Sequence, residues 1–212
     1  EHLGRYNRVV KVRDELKLPV ATLFDSKGPE IRFRLFEGGK VTINDGDLFT
    51  LTTKEVLGNN TIGSISYKNL INDVQVGTSI LVNDGLIELK VEKIDDTDIV
   101  CRVINGGVIS DRKAINVPGV HLSLPFLSDV DRRDLEFAME TGFDFFALSF
   151  VRCAEDVLEV RRLQKEHNNT SNLIAKIESQ EGVENLDAII NVADGIMVAR
   201  GDMGCLLYTS PS

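Results

Sequence analysis

Two textures of hydrophobic patterning alternate along this chain. Residues 4–17 read as a helix, with Tyr6, Val9, Val10 and Arg13 on one face and Arg and Lys residues flanking it. Pro19 ends that helix, and Val20-Ala21-Thr22-Leu23-Phe24 reads as a buried strand that stops at Asp25-Ser26. From about residue 31 to about residue 110, short alternating segments take over: Lys40–Ile43, Leu48–Thr52, Ser79–Val82, 86–94 and 98–104. They are punctuated by Gly38-Gly39, Asp45-Gly46, Gly58-Asn59-Asn60, Asp84-Gly85 and Asn105-Gly106-Gly107. Asp-Gly and Asn-Gly between alternating runs are strong short-range hairpin signals, so this stretch is expected to be a compact all-β module.

After Pro118-Gly119 the first texture returns. Ser128 with Asp131 forms a capping-box pattern, opening a helix that runs to Thr141 with Gly142 as its C-terminal cap. A strand at 143–151, a helix at 154–165 and a strand at 173–178 follow. Val183, Leu186, Ile190 and Ala193 then line one stripe of a further helix, and 195–200 reads as another strand. Strand–helix alternation at this spacing predicts a parallel α/β layer, interrupted by the β module after its first strand. The final residues, 205–212, break the pattern where a helix is due after Gly201-Asp202-Met203-Gly204.

Composition narrows the function classes. The 24 Lys and Arg against 33 Asp and Glu give a formal charge of −9, with no basic stripe of the kind a nucleic-acid binder carries. A local cationic pocket can still take an anionic substrate on an acidic protein. No apolar run approaches a membrane span. Glu1-His2-Leu3-Gly4-Arg5 is not a signal peptide and lacks an initiator methionine, the pattern of a chain that starts within a longer protein. Cys101, Cys153 and Cys205 are far apart, as are His2, His121 and His167. Neither zinc site nor disulfide framework is expected, and a reducing, cytoplasmic location is.

The chemistry concentrates at strand ends. In Ala175-Lys176-Ile177-Glu178 the two ionisable side chains share one face, because a strand alternates with period two. Central parallel strands normally bury apolar residues on both faces, so the pair calls for a cause. A structural ion pair is one; a site at the carboxyl end of the strands is the other. Asp202 lies just past the next strand, where it and Glu178 could share Mg²⁺ while waters and substrate oxygens complete its shell. Lys176 could neutralise phosphoryl oxygens during transfer, and backbone N–H groups at Gly201 and Asp202 could hold an anion. An ordinary turn and helix cap also accounts for Gly-Asp. The first strand ends in Asp25-Ser26-Lys27-Gly28-Pro29-Glu30-Ile31-Arg32, where oxygen ligands sit beside cations.

Taken together these segments resemble the pyruvate kinase family. Asp25–Arg32 is similar to its D-[TS]-K-G-P-E-I-R segment, and Lys113-Ala114-Ile115-Asn116-Val117-Pro118-Gly119 to its return from an inserted domain. Ala147-Leu148-Ser149-Phe150-Val151-Arg152, Ala175–Glu178 and the run from Gly195 to Gly204 follow in family order. The resemblance implies a partial (β/α)₈ TIM barrel, about four of eight strands, with an inserted all-β barrel domain. Its boundaries would be 1–28 and 114–204 for the barrel, 29–113 for the insertion and 205–212 for a tail without counterpart.

The resemblance also implies roles. Lys176 would be catalytic and substrate-binding, stabilising the phosphoryl transition state. Glu178 and Asp202 would ligate Mg²⁺, and Gly201 and Asp202 would bind the substrate carboxylate. Asp25 and Ser26 would belong to a K⁺ site, with Ser26 replacing the commoner threonine. Arg32 and Lys113 would contact the nucleotide, and Glu30 matches the pattern tied to K⁺ dependence. Substrates would be phosphoenolpyruvate and ADP, giving pyruvate and ATP in glycolysis, in a parent that is a cytoplasmic homotetramer touching neither nucleic acid nor membrane. The family's Arg-x-Asn-x-Ser-His-Gly segment, which should precede Glu1, is absent, and its Val-Glu continuation after Gly204 is replaced. The chain is therefore expected to be an internal fragment, inactive alone. Two rivals are a Mg²⁺-dependent barrel lyase or aldolase acting through an enolate, which needs no β insertion, and a non-catalytic truncated product.

Overall fold

The structure, a computed structural model, describes residues 2–199. In chain order the elements are α1 (His2–Leu16), β1 (Leu23–Asp25), β2 (Ile31–Arg32), β3 (Lys40–Ile43), β4 (Leu48–Thr52), β5 (Ile62–Ser64), α2 (Leu70–Asp73) and β6 (Ser79–Val82). Then come β7 (Ile87–Ile94), β8 (Asp98–Asn105), β9 (Gly107–Ser110), β10 (Ala114–Asn116), α3 (Asp129–Thr141), β11 (Phe145–Leu148) and α4 (Ala154–Glu166). The described part closes with β12 (Asn172–Ile177), α5 (Gln180–Glu184), α6 (Leu186–Ile190) and β13 (Gly195–Val198). The described residues form two compact units, one of residues 2–29 with 125–199 and one of residues 30–124. No helix among the described residues is long and apolar enough to cross a membrane.

The first unit is a mixed α/β fold around a curled, half-barrel sheet of order β1-β11-β12-β13, all pairs parallel. The middle strands carry the apolar interior: β11 buries the consecutive residues Phe146, Ala147 and Leu148, on both faces, and β12 buries the alternate residues Leu173, Ala175 and Ile177. Local chemistry sets the helix ends. Ser128 and Asp131 exchange both capping-box bonds at the start of α3, and Gly142 closes it in the left-handed region at φ 87°. Tyr6 of α1 lies 4.7 Å from the Phe143 ring and donates its hydroxyl to the Gly142 carbonyl at 2.9 Å.

Three local expectations are corrected. The first strand is Leu23–Asp25 rather than 20–24; among the described residues it pairs with β11 alone, and Leu23 is 43% exposed. The stripe through Val183, Leu186, Ile190 and Ala193 is not one helix. Asn185 ends α5 and starts α6, which shifts the phase, so Ile189 is buried while Val183 and Ile190 are exposed. Of the strand expected at 195–200, the described residues form Gly195–Val198, and Arg200 lies outside them.

In the second unit a seven-stranded sheet, β2-β10-β6-β7-β8-β4-β5, and the β3-β9 pair enclose one apolar core. Alternation decides which residues enter it: Ile87, Leu89 and Val91 of β7 face Ile99, Cys101 and Val103 of β8, all buried. The five hairpin-like segments read from the sequence are all strands. The stretch also holds α2 and a 3₁₀ turn at Glu37–Gly39, and β4 pairs with β5 in parallel. Residues 114–124 group with this unit: β10 pairs with both β2 and β6, and Val117, Val120, Leu122 and Leu124 pack on its apolar core.

Candidate active site

Parallel register brings the strand ends of the first unit into line. Asp25 pairs with Ala147, Leu148 with Ala175, and Lys176 with Met197. The residues at or just beyond the carboxyl ends of β1, β11 and β12 therefore converge, and these are Asp25, Ser149, Lys176 and Glu178.

Lys176 is the hub of this cluster. Its Nζ lies 2.8 Å from Ser149 Oγ, 3.1 Å from Asp25 Oδ1 and 3.2 Å from Glu178 Oε1. The lysine side chain is only 13% exposed and that of Glu178 2%, whereas that of Asp25 is 60% exposed. Burial works against the charged ammonium, but the hydrogen bond to Asp25 and the charge of Glu178 outweigh it, so the Lys176 pKa stands above the ordinary lysine value. Lysine is thus a firm cation here. One ammonium against two carboxylates leaves a local formal charge of −1, a setting in which a further cation is electrostatically welcome.

The turn after β11 braces the cluster. Ser149 donates its hydroxyl to the Ser26 carbonyl at 2.6 Å, and its N–H to Ser26 Oγ at 3.0 Å. Phe150 adopts φ 58°, an uncommon value for an aromatic residue, and its N–H donates to Glu178 Oε2 at 2.6 Å. Gly28 comes so close beneath that a Cβ there would stand 2.7 Å from the Ser149 carbonyl oxygen, at a φ of 73° that favours glycine. Asp156 takes the Arg152 N–H at 2.9 Å and its guanidinium at 3.2 Å, fastening the same loop to α4.

Of the expected site residues, the fold brings Asp25, Ser26, Lys176 and Glu178 together. Arg32 and Lys113 lie side by side in the second unit, where the Phe33 N–H donates to the Lys113 carbonyl at 2.9 Å. The Arg32 guanidinium is held by both oxygens of Glu30 at 2.8 Å and donates to the Arg112 carbonyl at 2.8 Å. Gly201 and Asp202 lie outside the described residues. Ser149 and Phe150 received no role from the sequence. The one available signal was a hydroxyl closing the apolar run Phe145-Phe146-Ala147-Leu148.

The donor set is all oxygen, which suits hard cations such as Mg²⁺ and K⁺ rather than zinc. Among the described residues no group of three carboxylate, imidazole or thiol side chains is assembled to hold a metal. Glu178 and Asp25 are the charged oxygens this part of the chain supplies, leaving the other positions to waters and ligand oxygens.

An α/β sheet with a charged cluster at the carboxyl ends of its parallel strands defines a broad class of enzyme scaffolds. The family model for the pyruvate kinase barrel domain matches residues 1–209, and the chain belongs to the pyruvate kinase family. It is 49% identical to the pyruvate kinase of Clostridium perfringens over 205 residues, covering 96% of this chain and 43% of that protein. Against the pyruvate kinase of Staphylococcus aureus strain MRSA252 it is 44% identical over 206 residues, 96% of this chain and 35% of the relative. A crystal structure of a pyruvate kinase from Cryptosporidium parvum aligns with a TM-score of 0.86 at 38% identity, covering 99% of this chain and 45% of that one. The chain thus spans less than half the length of these relatives. Family membership removes the barrel lyase or aldolase alternative.

Proposed function

We propose that this chain carries the phosphoryl-transfer centre of an enzyme that moves the phosphoryl group of phosphoenolpyruvate to ADP, giving pyruvate and ATP. The observation that carries this reading is the Lys176 ammonium, held among Asp25, Ser149 and Glu178 at the carboxyl end of a parallel strand. The four parallel strands, in sequence order and joined by helices, are read as four of the eight strands of a (β/α)₈ barrel, and residues 30–124 as a β-barrel inserted into it.

Phosphoryl transfer needs little covalent help from the protein; it needs positioning and charge stabilisation. Lys176 sets its positive charge against the equatorial oxygens of the phosphoryl group in flight. Glu178 and Asp202 would hold Mg²⁺, and Asp25 and Ser26 a K⁺ ion. When bound, the cations would neutralise phosphate oxygens and polarise the bond to the leaving group. Gly201 and Asp202 would orient the substrate carboxylate through their N–H groups. Arg32 and Lys113 would meet the nucleotide phosphates, with Glu30 fixing the direction of the Arg32 fork.

The test is turnover by the complete enzyme carrying this segment. Supplied with phosphoenolpyruvate, ADP, Mg²⁺ and K⁺, it forms pyruvate, followed by coupled NADH oxidation with lactate dehydrogenase. Omitting Mg²⁺ abolishes the signal. A folded complete enzyme that forms no pyruvate under these conditions overturns the reading.

A further inference from the structure

Ser149 sits directly after β11, is 3% exposed, and follows three buried apolar residues. A hydroxyl at such a place must find partners, because burying it unbonded is costly. It has one proton to give: the Ser26 carbonyl is the near acceptor at 2.6 Å, and Asp25 Oδ1 is a second, longer one at 3.4 Å. With that proton committed, the oxygen faces Lys176 Nζ at 2.8 Å as an acceptor only. The Ser149 N–H, bonded to Ser26 Oγ at 3.0 Å, makes the tie between the two strand ends double and fixes where the oxygen stands.

Among the three groups that hold the ammonium, Ser149 differs from the other two. Asp25 and Glu178 are carboxylates that attract the lysine from a distance in any direction. Ser149 is neutral, comes nearest, and works through one directed lone pair. It reaches Lys176 from β11 while Glu178 reaches it from the lysine's own strand. The neighbouring Phe150 N–H meanwhile pins Glu178 Oε2 at 2.6 Å. The two-residue turn therefore constrains both members of the Lys176–Glu178 pair. Ser149 does so without adding negative charge that would compete with a phosphoryl group for the ammonium.

We propose that Ser149 is a positioning residue for phosphoryl transfer: its hydroxyl, locked by Ser26, aims the Lys176 ammonium. This rests on the function proposed above. Small misplacements of a charge-stabilising group cost large factors in rate, up to about 10²-fold for about 1 Å.

The experiment is a double-mutant cycle in the complete enzyme, with Ser149→Ala, Lys176→Met and the pair, read as kcat and KM for phosphoenolpyruvate together with thermal midpoints. Ser149→Ala is expected to lower kcat about 10- to 50-fold with KM within about threefold. In the Lys176→Met background the same change is expected to alter kcat by less than about twofold, because the group it aims is gone. A Ser149→Ala enzyme within threefold of the unsubstituted kcat overturns the proposal. So does a loss that multiplies fully with that of Lys176→Met, or one tracked by an equal rise in KM and a markedly lower thermal midpoint, since each marks a merely structural role. Absence of turnover in the unsubstituted enzyme would sink the function itself, a result distinguishable from all of these.

Discussion

Replacing Lys176 by Met keeps the length of the side chain and removes its charge. Glu178, 2% exposed, then loses the cation 3.2 Å away while retaining the Phe150 N–H. A unit-charge pair at that separation, in an effective dielectric of about 20, is worth about 5 kcal/mol. Losses from removing one partner of a buried pair run about 3–5 kcal/mol, and that range is the expected cost. Asp25 adds little to it, because its side chain is 60% exposed and water screens the interaction. The penalty falls on β12, so it is read locally, as amide hydrogen exchange at Ala175 and Ile177 in the complete enzyme. At about 1.4 kcal/mol per factor of ten, exchange there should quicken by about two to four orders of magnitude. Adding Glu178→Gln to Lys176→Met removes the buried charge and should restore most of the protection. Exchange in the single variant within tenfold of the unsubstituted protein would refute the reasoning. Failure of the second substitution to restore protection would refute it equally.

Asp144 should confer an acid-sensitive contribution. Its Oδ2 accepts the Thr22 N–H at 2.7 Å and hydroxyl at 2.8 Å, with Arg13 at 3.3 Å. The Thr22 backbone bond, then its hydroxyl, then Arg13 hold the pKa below the usual 3.8 against the opposing effect of burial. As pH falls the unfolded chain takes up the proton first, so the contribution is whole above that value and is lost as pH drops through the folded pKa. Protection of the Thr22 amide should exceed that in Asp144→Asn at neutral pH, the gap closing below about pH 4; a pH-independent gap would count against it. Burial pushes the Cys101 thiol up to about 12, with Glu92 adding to the effect, so iodoacetamide at pH 8 should label half-buried Cys153 well before Cys101, as peptide mapping would show. Residues 30–124 contain a complete apolar core and should fold cooperatively alone, with Leu89→Ala lowering stability by about 2–5 kcal/mol in urea unfolding followed by circular dichroism. A non-cooperative unfolding curve, or an unchanged midpoint, would contradict that.

The parts of the fold that were legible in the sequence are those where local chemistry and burial agree. The β strands are bounded by Asp45-Gly46 and Asp84-Gly85, and their alternation matches the buried positions of β7 and β8. The Ser128 cap and the Gly142 stop mark the two ends of α3 by local chemistry, and Leu135, Ala138 and Met139 form its buried face. Other features depend on what lies beside a segment. Leu23 reads as core, yet it is exposed, and among the described residues β1 has a single strand partner. The stripe from Val183 to Ala193 gives no sign of the break at Asn185, since the apolar spacing continues through it.

The site divides the same way. Lys176 and Glu178 stand out because charge is rare within an apolar parallel strand, and Asp25 because it ends one. Ser149 does not stand out, since a serine after a strand is ordinary until its oxygen is found 2.8 Å from the ammonium. Phe150 is less legible still: nothing in an aromatic residue announces a left-handed backbone, and here that conformation goes with an N–H donated to Glu178.

On the proposed function, Lys176 supplies the charge that stabilises phosphoryl transfer. The most direct measurement is kcat for pyruvate formation by the complete Lys176→Met enzyme at saturating phosphoenolpyruvate, ADP and K⁺, with Mg²⁺ affinity measured separately by calorimetry. A fall in kcat of about 10²- to 10³-fold with Mg²⁺ affinity retained is the predicted result. A kcat within a few-fold of the unsubstituted enzyme would contradict it.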